Sequence, residues 1–142
     1  MNILLVDDDY LLAKGTAKLL ERLGGHQVLI TDSPEEIFQR TQAGEVDLVL
    51  MDVNLPEAQW NGEEVSGADM AKILKTNPQP AEIPIILVTA YAMQGEQQKL
   101  LATSQGDGFF AKPITEYESL LKLMAQLHKA RRQRNLSESS SV

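Results

Sequence analysis

The chain has 142 residues, with 13 Lys and Arg against 20 Asp and Glu, which gives a formal net charge of −7. This length predicts one domain that folds without a disulfide or a structural metal. The acidic balance argues against a general nucleic-acid binder, because phosphate contacts need a basic face. The absence of cysteine excludes disulfides, thiol catalysis and zinc–thiolate sites. No apolar run approaches the ~20 residues that span a bilayer. We therefore expect a cytoplasmic domain without direct contact to nucleic acid or membrane.

Short apolar runs alternate with helical patterns along the chain. The first run, residues 3–6, has no polar alternation and ends at three aspartates, which is typical of a buried strand. Leucines at helical spacing follow it until the glycine pair 24–25, and Ser33 then begins a second helix as its N-cap, with Pro34 in the first turn. The predicted strands are residues 3–6, 27–31, 47–51, 85–88 and 108–111.

This (βα)₅ alternation predicts an α/β fold with an open, doubly wound, parallel sheet of five strands. Five strands are too few for a closed eight-stranded barrel. Sheets of this kind bind ligands at the carboxyl ends of their strands. The informative side chains are therefore expected at that edge.

Four predicted strands end in reactive side chains: the aspartates 7–9, Asp52, Thr89 and Lys112. Carboxylates that share a cleft repel each other unless a cation lies among them. Oxygen ligands without His or Cys favour a hard cation such as Mg²⁺. A lysine and a hydroxyl beside that cation would neutralise a phosphoryl group carried by an aspartate.

Four motifs together resemble the receiver domain of two-component response regulators over roughly residues 1–128. LLVDDD, VLMDVNLP, ILVTA and FFAKPI occur in this order, each at the end of a predicted strand. The resemblance implies a flavodoxin-like sheet with strand order 2-1-3-4-5. It also implies a phosphoacceptor signalling domain rather than an enzyme, with a histidine kinase or a histidine phosphotransfer protein as its partner.

The resemblance assigns a phosphoryl group and a metal ion to specific residues. Asp52 is the expected phosphoacceptor. Asp7 and Asp8 match the acidic pair that holds Mg²⁺, with Asp8 the more direct ligand. Asp52 and the backbone carbonyl of Asn54 would complete the metal site.

The resemblance also implies a conformational switch. Thr89 matches the hydroxyl that turns toward the phosphoryl oxygen, and Lys112 matches the lysine that pairs with it. Phe109 would rotate toward the space that Thr89 leaves, and the face of helix four, strand five and helix five would change shape for a protein partner. The bond between Lys112 and Pro113 is expected to be cis.

Two segments depart from the expected pattern. The loop after the acceptor carries an insertion at residues 57–66, which includes Trp60, and Gly67 fits the start of helix three better than Gly62 does. Residues 129–142 are predicted to be a basic helix end followed by a disordered serine-rich tail from 137.

Two other functions fit parts of the sequence. An aspartate-nucleophile phosphatase of the haloacid dehalogenase type also begins with a strand and an Asp-x-Asp, here Asp7 and Asp9, but it expects Thr or Val where this chain has Leu11. A pseudo-receiver would use the same fold for protein contacts without accepting phosphate. The complete set of aspartates, threonine and lysine favours a phosphate-accepting receiver over both.

Overall fold

The computed structural model of the chain describes residues 1–90 and 94–140. The strands are Asn2–Val6 (β1), Gln27–Thr31 (β2), Leu48–Asp52 (β3), Gln59–Trp60 (β4), Glu63–Glu64 (β5), Ile85–Thr89 (β6) and Gly108–Ala111 (β7). The helices are Tyr10–Gly24 (α1), Pro34–Gln42 (α2), Gly67–Lys75 (α3), Gln94–Ser104 (α4) and Tyr117–Ser140 (α5), with a 3₁₀ turn at Pro80–Glu82.

Five parallel strands form the main sheet in the order β2-β1-β3-β6-β7. The predicted fold and strand order are confirmed, with β6 and β7 as the predicted fourth and fifth strands. The strand register aligns the carboxyl ends along one edge. At that edge the paired residues are Val6 with Met51, Asp52 with Val88, and Thr89 with Ala111.

The central strands are covered on both faces, which explains their uninterrupted apolar runs. Successive side chains point to opposite faces, so Leu4 and Val6 pack on one side of the sheet while Ile3 and Leu5 pack on the other. The first side faces α2, α3 and α4, and the second faces α1 and α5. The two halves of the core are thus separated by the sheet.

Side-chain caps fix where the helices begin. Ser33 accepts a hydrogen bond from the backbone of Glu36, as predicted for the start of α2. Asp9 caps α1 by accepting from the N–H of Leu12. Such caps satisfy backbone donors that the first helical turn leaves unpaired.

The insertion after β3 forms a small hairpin of β4 and β5, which was not predicted from the sequence. Asn61 and Gly62 make its turn with φ values of 52° and 82°, the left-handed conformations that a two-residue hairpin turn requires. Trp60 contacts Phe38 of α2, with ring centroids 5.0 Å apart. The hairpin therefore lies against the α2 side of the sheet.

Helix α5 corrects the prediction for the end of the chain. The helix runs without a break through the predicted domain boundary at 128 and continues to Ser140, so residues 137–140 are helical rather than disordered. The physical reason is that residues 117–140 contain no glycine or proline that would end the helix. Within the described parts of the chain, no helix has the length and apolar character needed to cross a membrane.

Candidate functional site

Three charged side chains meet at the carboxyl edge of the sheet. Asp7 follows β1, Asp52 is the last residue of β3, and Lys112 follows β7. The Nζ atom of Lys112 lies 2.7 Å from Oδ2 of Asp52 and 3.1 Å from Oδ2 of Asp7. The structure therefore brings together residues that are far apart in the sequence, as the strand ends predicted.

The second oxygen of each carboxylate is held by the backbone. Oδ1 of Asp52 accepts a hydrogen bond of 3.1 Å from the N–H of Asn54, and Oδ1 of Asp7 accepts one of 2.9 Å from the N–H of Asp9. Each carboxylate is thus fixed between a lysine on one side and its own loop on the other. Both groups are oriented before any ligand binds.

Burial and hydrogen bonds together change the pKa values of Asp52 and Lys112. Asp52 is only 6% exposed and Asp7 only 8%. Burial raises the pKa of the Asp52 carboxyl, and this effect outweighs the hydrogen bonds from Lys112 and Asn54, which lower it. Burial lowers the pKa of Lys112, but the hydrogen bonds to Asp52 and Asp7 more than compensate, so that its pKa is raised overall.

The carboxylates also fit a divalent cation. Oxygen atoms of Asp7, Asp8 and Asp52 all lie within 4.8 Å of one another. Asp8 is exposed, whereas the other two are buried, so the cluster opens to solvent on one side. Carboxylate oxygens without nitrogen or sulfur ligands suit Mg²⁺, and the donor set therefore matches the predicted metal.

Thr89 lies beside this cluster at the end of β6. It is buried, and its carbonyl accepts a hydrogen bond of 2.9 Å from the N–H of Lys112. By the two-residue alternation of a strand, Thr89 lies on the same face of β6 as Leu87, which pairs with Phe109. Thr89 and Phe109 thus share one face of the sheet. The bond between Lys112 and Pro113 is cis, as expected.

A close backbone approach fixes the start of α3 next to Asp52. The N–H of Gly67 donates a hydrogen bond of 2.8 Å to the carbonyl of Val53. A Cβ atom on Gly67 would lie 1.8 Å from the backbone oxygen of Asp52, so no other residue fits without a backbone shift. The prediction that Gly67 rather than Gly62 begins this helix is confirmed.

A cleft of about 80 Å³ opens from the cluster toward α1 and α5. Asp7, Asp52 and Lys112 form its polar wall. Its apolar wall includes Leu12 of α1 and Tyr117 of α5. Leu12 is 48% exposed and its neighbour Leu11 is 81% exposed, so apolar surface borders the cleft.

Sequence reasoning missed two parts of this site. The apolar wall joins residues of α1 and α5, and the sequence pattern within either helix does not predict a contact between them. The hairpin did leave a signal, because Asn61-Gly62 is a typical two-residue turn, but strands of two residues are too short for a detectable alternation.

The family that matches this chain is described as the response regulator receiver domain, and the match covers residues 3–125. The protein therefore belongs to the response regulator receiver family, whose members are signalling domains of two-component systems.

Two curated relatives place the chain within this family. The polar-differentiation response regulator DivK of Brucella ovis is 33% identical over 116 residues, which cover 80% of this chain and 85% of DivK. The signal transduction histidine-protein kinase BarA of Escherichia coli K12 is 33% identical over 116 residues as well. That match covers 82% of this chain but only 12% of BarA, so the chain spans a small part of the kinase's length.

Solved structures share the fold at lower identity. The signal receiver domain of a putative Luxo repressor protein from Vibrio parahaemolyticus has a TM-score of 0.77 and 22% identity, with 96% of each chain covered. The receiver domain of sensor histidine kinase PA1611 from Pseudomonas aeruginosa PAO1 has a TM-score of 0.71 and 24% identity, with 89% of this chain and 96% of that chain covered. The latter structure is described with a magnesium ion coordinated in its active-site cleft.

Proposed function

We propose that this receiver accepts a phosphoryl group on Asp52 from a histidine of a kinase or phosphotransfer partner and passes the signal on through protein contacts. The observation that carries the proposal is the position of Lys112, whose amine contacts Asp52 and Asp7 beside a cluster of three carboxylates. One phosphoryl group is taken up per chain, so the protein acts as a signalling domain and not as an enzyme with its own substrate.

In the transfer step, an oxygen of Asp52 attacks the phosphorus in line with the departing imidazole. The P–N bond breaks as the new P–O bond forms, and the electron pair stays on the imidazole nitrogen. Lys112 neutralises negative charge on the phosphoryl oxygens during the step. The hydrogen bond from Asn54 holds the other oxygen of Asp52 in place.

The residues proposed to hold Mg²⁺ are Asp7, Asp8, Asp52 and the backbone carbonyl of Asn54. When bound, the ion supplies a Lewis acid that draws charge from the phosphoryl oxygens. The three carboxylates support this assignment by their mutual distances. The magnesium ion described for the PA1611 receiver, which shares the fold, also supports it.

The output is a change of shape on the face formed by α4, β7 and α5. Thr89 turns its hydroxyl toward the new phosphoryl group, and Phe109 moves into the space beside it. The shared face of Thr89 and Phe109 supports this coupling. A covalent group that favours one of two conformations in this way is sufficient to create or remove a binding surface for a downstream protein.

The donor is proposed to dock over α1 in the cytoplasm. The exposed Leu11 and Leu12 at the border of the cleft offer apolar surface to a protein partner, which a nucleic acid would not use. The likeness to DivK and to BarA supports a histidine kinase system as the source of the phosphoryl group.

The role of Asp9 argues against the phosphatase alternative. A haloacid dehalogenase-type enzyme would use this second aspartate in its catalytic Asp-x-Asp. Here the side chain of Asp9 caps α1 by accepting from the N–H of Leu12. A pseudo-receiver would not need the contacts among Lys112, Asp52 and Asp7, because it accepts no phosphoryl group.

The test is labelling of the purified chain with acetyl phosphate, followed by intact-mass analysis. We expect the wild type to gain one phosphoryl group only when Mg²⁺ is present. Asp52→Asn should abolish the label, whereas Asp32→Asn, at an exposed aspartate that is not part of the cluster, should keep it.

Each alternative gives a different result in this experiment. Labelling that survives Asp52→Asn would move the acceptor to another residue. Continuous hydrolysis of a phosphomonoester would favour the phosphatase. A wild type that takes no phosphoryl group from any donor, including a histidine phosphotransfer domain, would favour the pseudo-receiver.

A further inference from the structure

The segment between β3 and α3 forms a closed loop rather than an open connection. At its base, the N–H of Gly67 donates to the carbonyl of Val53 at 2.8 Å. Further along, the N–H of Val65 donates to the carbonyl of Ala58 at 2.9 Å. These bonds bring the beginning and the end of the insertion together next to Asp52.

Apolar contacts attach this loop to the body of the protein. Leu55 and Ala58 are buried in the same half of the core as Met51 of β3. Farther from the base, Trp60 packs on the same cluster and contacts Phe38, with ring planes inclined by 40°. Trp60 therefore connects the outer part of the hairpin to α2.

Asn54 lies between these attachments. The residue before it, Val53, is hydrogen bonded to the carbonyl of Val88 through its N–H, and the residue after it, Leu55, is buried. The N–H of Asn54 itself donates to the carboxylate of Asp52. Asn54 is therefore joined to the hairpin through Leu55 and Ala58, and the outer contact of the hairpin with α2 limits the motion that these attachments still allow at Asn54 and at the acceptor side chain.

We propose that Trp60 is a positioning residue of the acceptor site, which sets the affinity for the divalent cation by holding the loop that carries Asn54. The inference rests on the proposed function, because it takes the carbonyl of Asn54 as a metal ligand. Without the ring contact, the loop samples more conformations, and metal binding must then order it at an entropic cost. The contact between Trp60 and Phe38 orders the loop before the metal binds, so that binding carries less of this entropic cost.

The location of Trp60 separates this role from general core packing. The side chain is half-buried at the edge of the core, whereas Leu55, Ala58 and Gly67 anchor the base of the loop independently. Removal of the indole should therefore leave the fold in place. The expected change lies in the metal site and not in the global unfolding transition.

The experiment compares the wild-type chain of 142 residues with Trp60→Ala, Trp60→Phe and Gln59→Ala. Gln59 is the exposed neighbour in β4 and serves as the matched control. Calorimetry measures Mg²⁺ affinity, and hydrogen exchange of the metal-free protein measures how well the Asn54 amide is protected. We expect Trp60→Ala to weaken Mg²⁺ binding about tenfold, as loss of a supporting contact around a metal site does, and to accelerate exchange at Asn54. Trp60→Phe keeps an aromatic ring and should therefore retain most of the Mg²⁺ affinity and most of the protection of the Asn54 amide.

The outcomes distinguish this inference from the proposed function. Unchanged exchange at Asn54 and unchanged Mg²⁺ affinity in Trp60→Ala would overturn the role of Trp60. A wild type that binds no Mg²⁺ would contradict the proposed function, while the exchange comparison would still test the control of the loop by Trp60. If Trp60→Ala fails to fold, Phe38→Leu removes the ring contact from the other side. Normal Mg²⁺ affinity in that variant would also overturn the inference.

Discussion

Lys112 donates a hydrogen bond of 2.7 Å to Asp52, although 60 positions separate the two residues in the sequence. The same amine lies 3.1 Å from Asp7. One cation thus balances two buried carboxylates that would otherwise repel each other. The contact with the proposed acceptor is the shorter of the two.

Replacement of Lys112 by methionine should raise the pKa of Asp52 further. Burial already raises this pKa, and the variant removes the hydrogen bond and the charge of Lys112, both of which lower it. Carbon-detected NMR of the Asp52 carboxyl in the metal-free protein measures the change. We also expect labelling by acetyl phosphate to slow by about 100-fold, because a charge that stabilises the transition state is lost. Lys122→Met, at an exposed position of α5, should change neither quantity; an Asp52 pKa that stays constant in Lys112→Met would contradict the prediction.

The free energy of unfolding of Asp52→Asn should exceed that of the wild type at neutral pH when a chelator is present. The folded protein raises the pKa of Asp52 above its unfolded value, so the folded state binds this proton more tightly. The wild type therefore loses stability as the pH rises through the pKa that Asp52 has in the folded protein. The Asp52→Asn variant does not lose this stability, because asparagine does not titrate. At a pH below the ordinary pKa of a carboxyl group, the higher stability of Asp52→Asn over the wild type should vanish. Thermal unfolding across this pH range, with and without Mg²⁺, measures the difference; a variant less stable than the wild type at neutral pH would refute the prediction.

Gly67→Ala and Gly15→Ala should shift stability in opposite directions. The new Cβ at 67 would overlap the backbone oxygen of Asp52, and the backbone shift that relieves this overlap should cost about 2 kcal/mol or more. Gly15 lies exposed in α1 with nothing within 4 Å of its Cβ position, so alanine should stabilise the helix there by about 0.5–1 kcal/mol. Urea unfolding measures both values. A neutral effect of Gly67→Ala would contradict the close approach.

Lys75→Met should destabilise the protein through contacts that do not involve the carboxylate cluster. The Nζ atom of Lys75 lies 2.7 Å from Oδ2 of Asp107 and also donates to the carbonyls of Ala81 and Ile83. Removal of this cation leaves the carboxylate of Asp107 and the two carbonyls without their donor in a half-buried environment. The free energy of unfolding should fall by about 2 kcal/mol. Lys72→Met, on the exposed side of the same helix, should stay within about 0.5 kcal/mol of the wild type. Equal unfolding free energies for the two variants would show that the contacts of Lys75 contribute little.

The sheet and the central site were predictable because each strand carries its own local signal. The run at residues 85–88 is apolar throughout and ends at Thr89, and the run at 48–51 ends at Asp52 in the same way. Parallel pairing then brings such ends to one edge, so the order of the strands predicted that Asp7, Asp52 and Lys112 would meet, while the roles of these residues came from the family resemblance. The contact between Lys112 and both carboxylates follows from this geometry.

The remaining features depend on contacts between distant residues or on weak local preferences. The packing of Trp60 on Phe38 joins a loop to a helix that precedes it in the chain, and no periodicity reports such a contact. The extension of α5 to Ser140 was missed because a serine-rich, polar sequence suggests disorder by composition. It contains no helix-breaking residue, however, and follows directly on a stable helix.

Phe109 and Phe110 are neighbours in β7, yet they pack into opposite halves of the core. The sheet separates the two halves of the core, and in β7 two consecutive aromatic rings pack into both of them. This strand lies at the edge of the sheet and pairs with β6, so it is more compliant than a strand held on both sides. A displacement of one ring therefore reaches the other half of the core through the single peptide bond that joins Phe109 to Phe110.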